Sequence, residues 1–154
     1  MIGILTEKPS AARNFAKALG ARKSGSCFTG TFQGEPFLIV HSVGHLYGLV
    51  DPRYQVPDAF SGIYGSSDIS NLPWDESIFS WRKEAFPKTK DVVTSIKNAL
   101  SDCSEVVIAT DNDPSGEGDL LATEILLENH IVPAKFSRMH FTDEAPATLQ
   151  KSFI

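Results

Sequence analysis

Hydrophobic and polar positions along the chain predict alternating strands and helices. Ile2–Thr6 is a short apolar run of the kind buried on both faces of a sheet. It ends in Glu7-Lys8-Pro9-Ser10, after which Ala12, Phe15, Ala16 and Leu19 recur at helical spacing. Proline in the first turn and Gly20 as a stop predict a helix over residues 9–19. Residues 21–42 read as a hairpin, with Gly34-Glu35 turning into the run Pro36 to Ser42. Val92, Val93, Ile96 and Leu100 predict a helix over 91–100.

The strand Val106-Val107-Ile108 gives way to a turn holding Asp111, Asp113 and Glu117, and then to a second strongly apolar helix. The inward stripe of that helix is expected at Leu120, Leu121, Glu124, Ile125 and Glu128 or its neighbours. Residues 134–141 read as a further strand, with Thr142-Asp143-Glu144 opening a last helix. From Asp51 to Lys88 four prolines and seven aromatic residues predict an irregular excursion packed on the domain by its rings. Base stacking by Trp74 or Trp81 is the sharper reading of the same residues. The expected architecture is α/β, with a central, mostly parallel sheet flanked by helices.

Composition narrows the picture modestly. A chain of 154 residues with 42% hydrophobic positions can bury a core as one domain. The net charge of −5 argues against a broad basic face for nucleic acid. Cys27 and Cys103 stand far apart and in no metal or redox spacing, which suits a reducing, cytoplasmic setting. No signal peptide and no membrane-spanning run is evident, so no membrane partner is expected.

The candidate chemistry lies in the acids. No Lys or Arg occurs between Lys97 and Lys135, whereas eight acids do, so the offsetting cation must come from elsewhere. On an extended segment D-x-D places both carboxylates on one side. Like charges held that close disfavour one another's ionised form unless a cation intervenes. Hard oxygen donors without Cys or His suit Mg²⁺, with Mn²⁺ as the alternative. Asp111 and Asp113 lie past the carboxyl end of a strand, where α/β sheets bind ligands. Glu7 occupies the matching position after the first strand, so a shared parallel sheet would bring it to the same edge. Each feature has a plainer reading: Asp-Asn-Asp-Pro-Ser-Gly as a turn, and Glu7 as an acid at a helix start. His45, just past a strand, either approaches a phosphate or caps a turn.

Together, T-E-K-P-S-A-A at 6–12 and A-T-D-N-D-P-S-G-E-G-D at 109–119 resemble the two signature segments of the Toprim domain. S-V-G-H-L-Y-G-L at 42–49, F-P-K-T-K at 86–90 and R-M-H-F-T at 138–142 narrow this to the N-terminal Toprim domain of type IA DNA topoisomerases, of the topoisomerase III sort. The resemblance implies a Rossmann-like Toprim fold over residues 1–154. Glu7 matches the family's catalytic glutamate, which acts in proton transfer near the scissile phosphate, and Lys8 a lysine that steadies a phosphate. Asp111 and Asp113 match the metal-binding pair, with Glu7 and Glu117 completing the metal set. The family has one residue between the second Asp and the third acid, whereas Pro114-Ser115-Gly116 intervene before Glu117, so Asp119 is the alternative third acid.

The resemblance further implies single-stranded DNA as partner, ATP-independent cleavage and rejoining of one strand, and relaxation or decatenation of DNA. No phosphate-cradling Gly-x-x-x-x-Gly-Lys loop is present. Tyr47, Tyr54 and Tyr64 stand in no context matching the family's nucleophilic tyrosine, and the chain ends within a predicted helix. An excised N-terminal fragment, completed by the remaining domains of its parent and inactive alone, is therefore expected. Two other readings stay open. D-x-D-x-x-G also fits stand-alone Toprim nucleases and primase-like enzymes, and acids at strand ends also occur in non-catalytic metal-binding α/β modules. A receiver-like phosphoacceptor fits poorly, since Asp58 and Asp68 sit in no suitable strand.

Overall fold

The computed structural model describes residues 1–153; Ile154, the last residue of the predicted terminal helix, lies outside the described residues. In chain order the elements are β1 (Ile2–Thr6), α1 (Pro9–Leu19), β2 (Arg22–Ser24), β3 (Cys27–Phe32), β4 (Glu35–His41), β5 (Tyr47–Leu49), α2 (Ser61–Tyr64), β6 (Lys83–Ala85), α3 (Lys90–Leu100), β7 (Glu105–Ala109), α4 (Glu117–Glu128), β8 (Lys135–Arg138) and α5 (Pro146–Phe153). They fall into two compact units, one formed by Met1–Leu46 and the stretch from Pro87 onward, the other by Tyr47–Phe86.

The larger unit is built on a six-stranded sheet of order β2-β3-β4-β1-β7-β8. Strands β4, β1, β7 and β8 run parallel, and the β2–β3–β4 meander is antiparallel. Strand β1 is central because four of its five residues are fully buried, as a strand covered on both faces requires. Thr6 is in register with His41 on one side and Ala109 on the other, so the loops after β4, β1 and β7 leave one edge side by side.

One face of the sheet carries α1 and α5 over a core that includes Ile4, Phe15, Phe37, Ile39, Val107, Phe141 and Leu149. The rings of Phe15 and Phe141 meet edge to face, with centroids 5.4 Å apart. On the other face α3 closes onto β1 at Gly3, where a Cβ would stand 2.5 Å from Leu100 and 2.9 Å from the Cys103 sulfur. Helix α1 ends at Gly20, whose left-handed φ of 70° supplies the C-terminal cap.

Three expectations are corrected. The buried stripe of α4 is Gly118, Leu121, Ala122, Ile125 and Leu126, while Leu120 and Leu127 are exposed. Its phase is set by Gly118, which lies against the acid loop and turns the 118/121/122/125 face inward. Strand β8 stops at Arg138, short of the expected Phe141. Helix α5 starts at Pro146 rather than Thr142, because the residue before a proline is held out of the helical region and Asp143 accepts the Ala145 amide in a bend instead.

The smaller unit pairs β5 with β6 antiparallel, Tyr47 opposite Ala85 and Leu49 opposite Lys83. Asp51, Asp68 and Asp75 each start a 3₁₀ turn by accepting the amide two residues on. Buried Gln55 donates to the Val50 carbonyl and accepts the Arg82 amide, tying the two ends of the unit together. Within this unit the aromatic residues pack on one another: Tyr64 contacts Trp74 and Phe79 at 5.3 Å each, and Trp81 lies 5.3 Å from Phe79. Among the described residues no helix is long and apolar enough to cross a membrane.

Candidate metal and phosphate centre

Glu7 follows β1, and Asp111 follows the neighbouring parallel strand β7 by two residues. The shared edge brings them into contact: the Asp111 backbone N–H donates to Glu7 Oε2 at 3.2 Å. Lys8, between β1 and α1, places its Nζ 2.8 Å from Asp111 Oδ2. This hydrogen bond raises the Lys8 pKa above its ordinary value against a smaller opposing effect of burial. One cation missing from the acidic stretch is therefore supplied from the other end of the chain.

The second cation is Arg138, at the end of β8. Its guanidinium donates to the carbonyls of Thr110 at 2.7 Å and Asp111 at 3.1 Å. Its Nε lies 2.7 Å from Asp119 Oδ1, close enough for an ion pair but off-line for a hydrogen bond. The planar fork suits this task, since one side chain can meet two backbone acceptors and a carboxylate at once. Asp119, the alternative third acid, is thus turned toward Arg138 at the flank of the loop.

Asp113 does not share Asp111's partners. Once β7 ends, the chain leaves the ladder, and Asp113 instead caps the start of α4. Its Oδ1 accepts from the backbone and the hydroxyl of Ser115, and its Oδ2 accepts the Gly118 amide at 3.2 Å. The Ser115 hydroxyl, followed by the Gly118 amide, holds the Asp113 pKa at about 2. Helix α4 approaches so closely that a Cβ on Gly118 would stand 2.4 Å from the Asp111 carbonyl oxygen. The buried Thr110 hydroxyl donates to the Gly118 carbonyl at 2.9 Å, fastening the same junction.

Glu117 is drawn away from both aspartates. Its Oε1 lies 3.3 Å from His45 Nε2, and the other ring nitrogen of His45 is 3.7 Å from Glu124 Oε2. His45 is positioned by the loop after β4, where the Gly44 amide reaches the Glu7 carbonyl at 3.3 Å. It neither caps a turn nor stands alone; it bridges two carboxylates of α4. Sequence reasoning missed this link and the role of Arg138, although S-V-G-H and the arginine closing a strand were visible signals.

Asp111, Asn112 and Asp113 face Phe141, Thr142, Asp143 and Glu144 across an open cavity of about 460 Å³. Glu144 accepts a hydrogen bond from Asn14 of α1 at 2.5 Å. Asp143 is held below the usual carboxylate range, first by the Ala145 amide. The donors around this cavity are hard oxygens, matching Mg²⁺ or Mn²⁺ in type. Among the described residues, however, no three His, Cys, Asp or Glu side chains converge on one ion position. The acids are partnered separately: Lys8 takes Asp111, the helix start takes Asp113, and His45 takes Glu117.

The Toprim domain family matches residues 3–143 of this chain. A DNA topoisomerase 3 of Shouchella clausii (strain KSM-K16) is 32% identical over 132 residues, covering 83% of this chain and 16% of the relative. A DNA topoisomerase 1 of Alkalihalophilus pseudofirmus is 27% identical over 157 residues, covering 99% of this chain and 21% of the relative. A DNA topoisomerase 3 of Bacillus subtilis (strain 168) is 29% identical over 125 residues, covering 80% and 16%. The chain thus spans 16–21% of the length of these curated relatives.

Proposed function

The chain belongs to the Toprim domain family, and from that premise we propose that it is the metal-binding catalytic domain of a type IA DNA topoisomerase, acting with further domains of a longer parent chain. The observation that carries this reading is the contact between Glu7 and Asp111, which unites the two signature segments at one sheet edge across 104 residues. Relatives named DNA topoisomerase 3 and DNA topoisomerase 1 support the same reading.

In this proposal Asp111 and Asp113, next to Glu7, would hold Mg²⁺ or Mn²⁺, with Glu117 joining them once it leaves His45. A bound ion would supply positive charge there, offsetting the repulsion between these carboxylates and a DNA phosphate. Glu7, oriented by the Asp111 amide, gives a proton to the leaving 3′ oxygen on strand cleavage and takes it back on rejoining. Lys8 exchanges Asp111 for the phosphate, and Arg138 keeps the acid loop in place through its carbonyls. The nucleophilic tyrosine comes from elsewhere in the parent. The phosphotyrosine bond conserves the energy of the broken linkage, so no ATP is required.

The test is a Mg²⁺ titration of this chain followed by backbone NMR, on wild type and on Asp111→Asn/Asp113→Asn. Saturable shifts at residues 7, 111 and 113 that vanish in the double variant are expected. Undiminished binding in that variant overturns the metal assignment. Strand relaxation by the purified 154-residue chain would contradict its dependence on further domains. Metal-dependent hydrolysis without a covalent intermediate would favour a Toprim nuclease instead.

A further inference from the structure

A second cavity, also about 460 Å³, opens at the same sheet edge on the β4 side of Glu7. Arg13 of α1, Lys23 of β2 and His41 at the end of β4 line it, with Ser26 in the β2–β3 turn and Ser95 and Asp91 on α3. The Ser26 and Ser95 hydroxyls are hydrogen-bonded at 2.6 Å, closing its floor between the hairpin and α3. Neither Arg13 nor Lys23 has an ion-pair or hydrogen-bond partner among the described residues, and Asp91, the one acid in the lining, lies beyond ion-pair distance of both.

Two uncommitted cations converging on one cavity are unexpected in a chain of net charge −5. Their location gives the arrangement a direction. His41 is the register partner of Thr6, one strand spacing (about 4.8 Å) from it on the side opposite Ala109 and the acid loop. Across the carboxyl edge the order is therefore cationic cavity, Glu7, then Asp111 and Asp113. A ligand that puts one anionic group at the acid centre with a bound cation finds its next anionic group matched at Arg13 and Lys23. Nucleic acid backbone has that repeat, and a planar guanidinium beside a flexible ammonium suits phosphate oxygens.

We propose that the Arg13–Lys23–His41 cavity is a subsite for a backbone phosphate of single-stranded DNA, flanking the phosphate held at the acid centre. This rests on the topoisomerase reading for the identity of the strand, but not for the presence of an anion site. The subsite recognises phosphate and not base, so it fixes the position of the strand without selecting its sequence.

The test measures binding of a short fluorescein-labelled oligothymidylate to the 154-residue chain by anisotropy over a salt series without metal, with backbone NMR mapping the contact. Wild type is compared with Arg13→Gln/Lys23→Gln and with Asp111→Asn/Asp113→Asn. Both cations are exposed, so the first variant should keep the fold, checked by circular dichroism. Expected are shifts at residues 13, 23 and 26, a loss of at least about fivefold in affinity, and a salt slope smaller by about 0.7 for the one lost phosphate contact. The aspartate variant should bind DNA no more weakly than wild type in the absence of metal. Equal affinity and slope in the cation variant overturn the subsite and leave the topoisomerase reading standing. Inorganic phosphate titrating residues 13 and 23 without any oligonucleotide binding overturns the DNA-strand assignment while keeping an anion site. Binding of neither overturns the proposal entirely, and the Mg²⁺ titration above then judges the metal reading separately.

Discussion

Lys8 and Asp111 lie 103 residues apart in sequence and 2.8 Å apart in space, an ion pair that places a cation against the first carboxylate of the acid loop. The contact exists because β1 and β7 are adjacent and parallel, so the residues just past each strand share one edge. Under the proposed metal reading, this ammonium offsets in the free chain part of the charge that a divalent ion would offset.

Competition between Lys8 and metal follows. Both partners are substantially exposed, with 45% and 39% of their side-chain surfaces accessible, so the pair is weakened by solvent screening. Lys8→Met should tighten Mg²⁺ binding by about two- to fivefold, the range of an exposed ion pair of about 0.4–1 kcal/mol. Calorimetric titration at low salt reads this; unchanged affinity means that Lys8 does not compete.

Arg138 holds the acid loop by its backbone. The Arg138 side chain is 17% exposed, and its removal leaves the Thr110 and Asp111 carbonyls without their donor. Arg138→Met should cost about 2–4 kcal/mol in urea denaturation. Arg138→Lys should recover less than half, since a single ammonium cannot span two carbonyls and Asp119. Full recovery by lysine would show that charge alone matters at this position.

Asp113, at the start of α4, contributes to acid sensitivity beside the lowered carboxylates of Asp51, Asp68, Asp75, Glu105 and Asp143. The Asp113 pKa is about 2 in the folded chain, against about 3.9 for a free aspartate. A depressed carboxylate stabilises the fold at pH values above its unfolded pKa, and that contribution disappears as pH falls from about 4 toward 2. Urea midpoints measured between pH 2 and 5 should therefore fall less steeply with acidification in Asp113→Asn than in wild type. Parallel curves would remove Asp113 from the acid transition.

Gly118 sets the distance between α4 and the acid loop. A Cβ there would meet the Asp111 carbonyl oxygen at 2.4 Å and the Thr110 hydroxyl at 3.1 Å, and backbone cannot step aside as a flexible side chain can. Gly118→Ala should destabilise the chain by about 1–3 kcal/mol and weaken Mg²⁺ binding together. Thermal melts and the metal titration on one sample check both; a stable variant that binds metal normally would show that the helix can withdraw without disturbing the loop.

Most elements of the larger unit were legible locally. The apolar runs at Ile2–Thr6 and Glu105–Ala109, the Pro9 start and Gly20 stop of α1, and the hairpin turn before Glu35 are signals within a few residues of what they specify. The motif spacing identified Glu7, Asp111, Asp113 and Glu117 as one candidate set, because residue type and position after a strand are local properties. Boundaries that depend on a neighbour were read less well: Pro146 delayed α5, and the contact at Gly118 set the buried face of α4.

What the tertiary structure alone decided is how the acids are partnered. Chain order cannot say that Lys8 neutralises Asp111, that His45 draws Glu117 toward Glu124, or that Arg138 clasps the loop from the far strand. Each of these contacts joins segments that are distant in sequence and meet only because the strand order places β4, β1, β7 and β8 side by side. Sequence by itself determined which groups stand at the edge, since side-chain chemistry and strand periodicity are written residue by residue. Their separation into differently partnered carboxylates arises from charge balance and close packing between segments, and those are properties only of the folded chain.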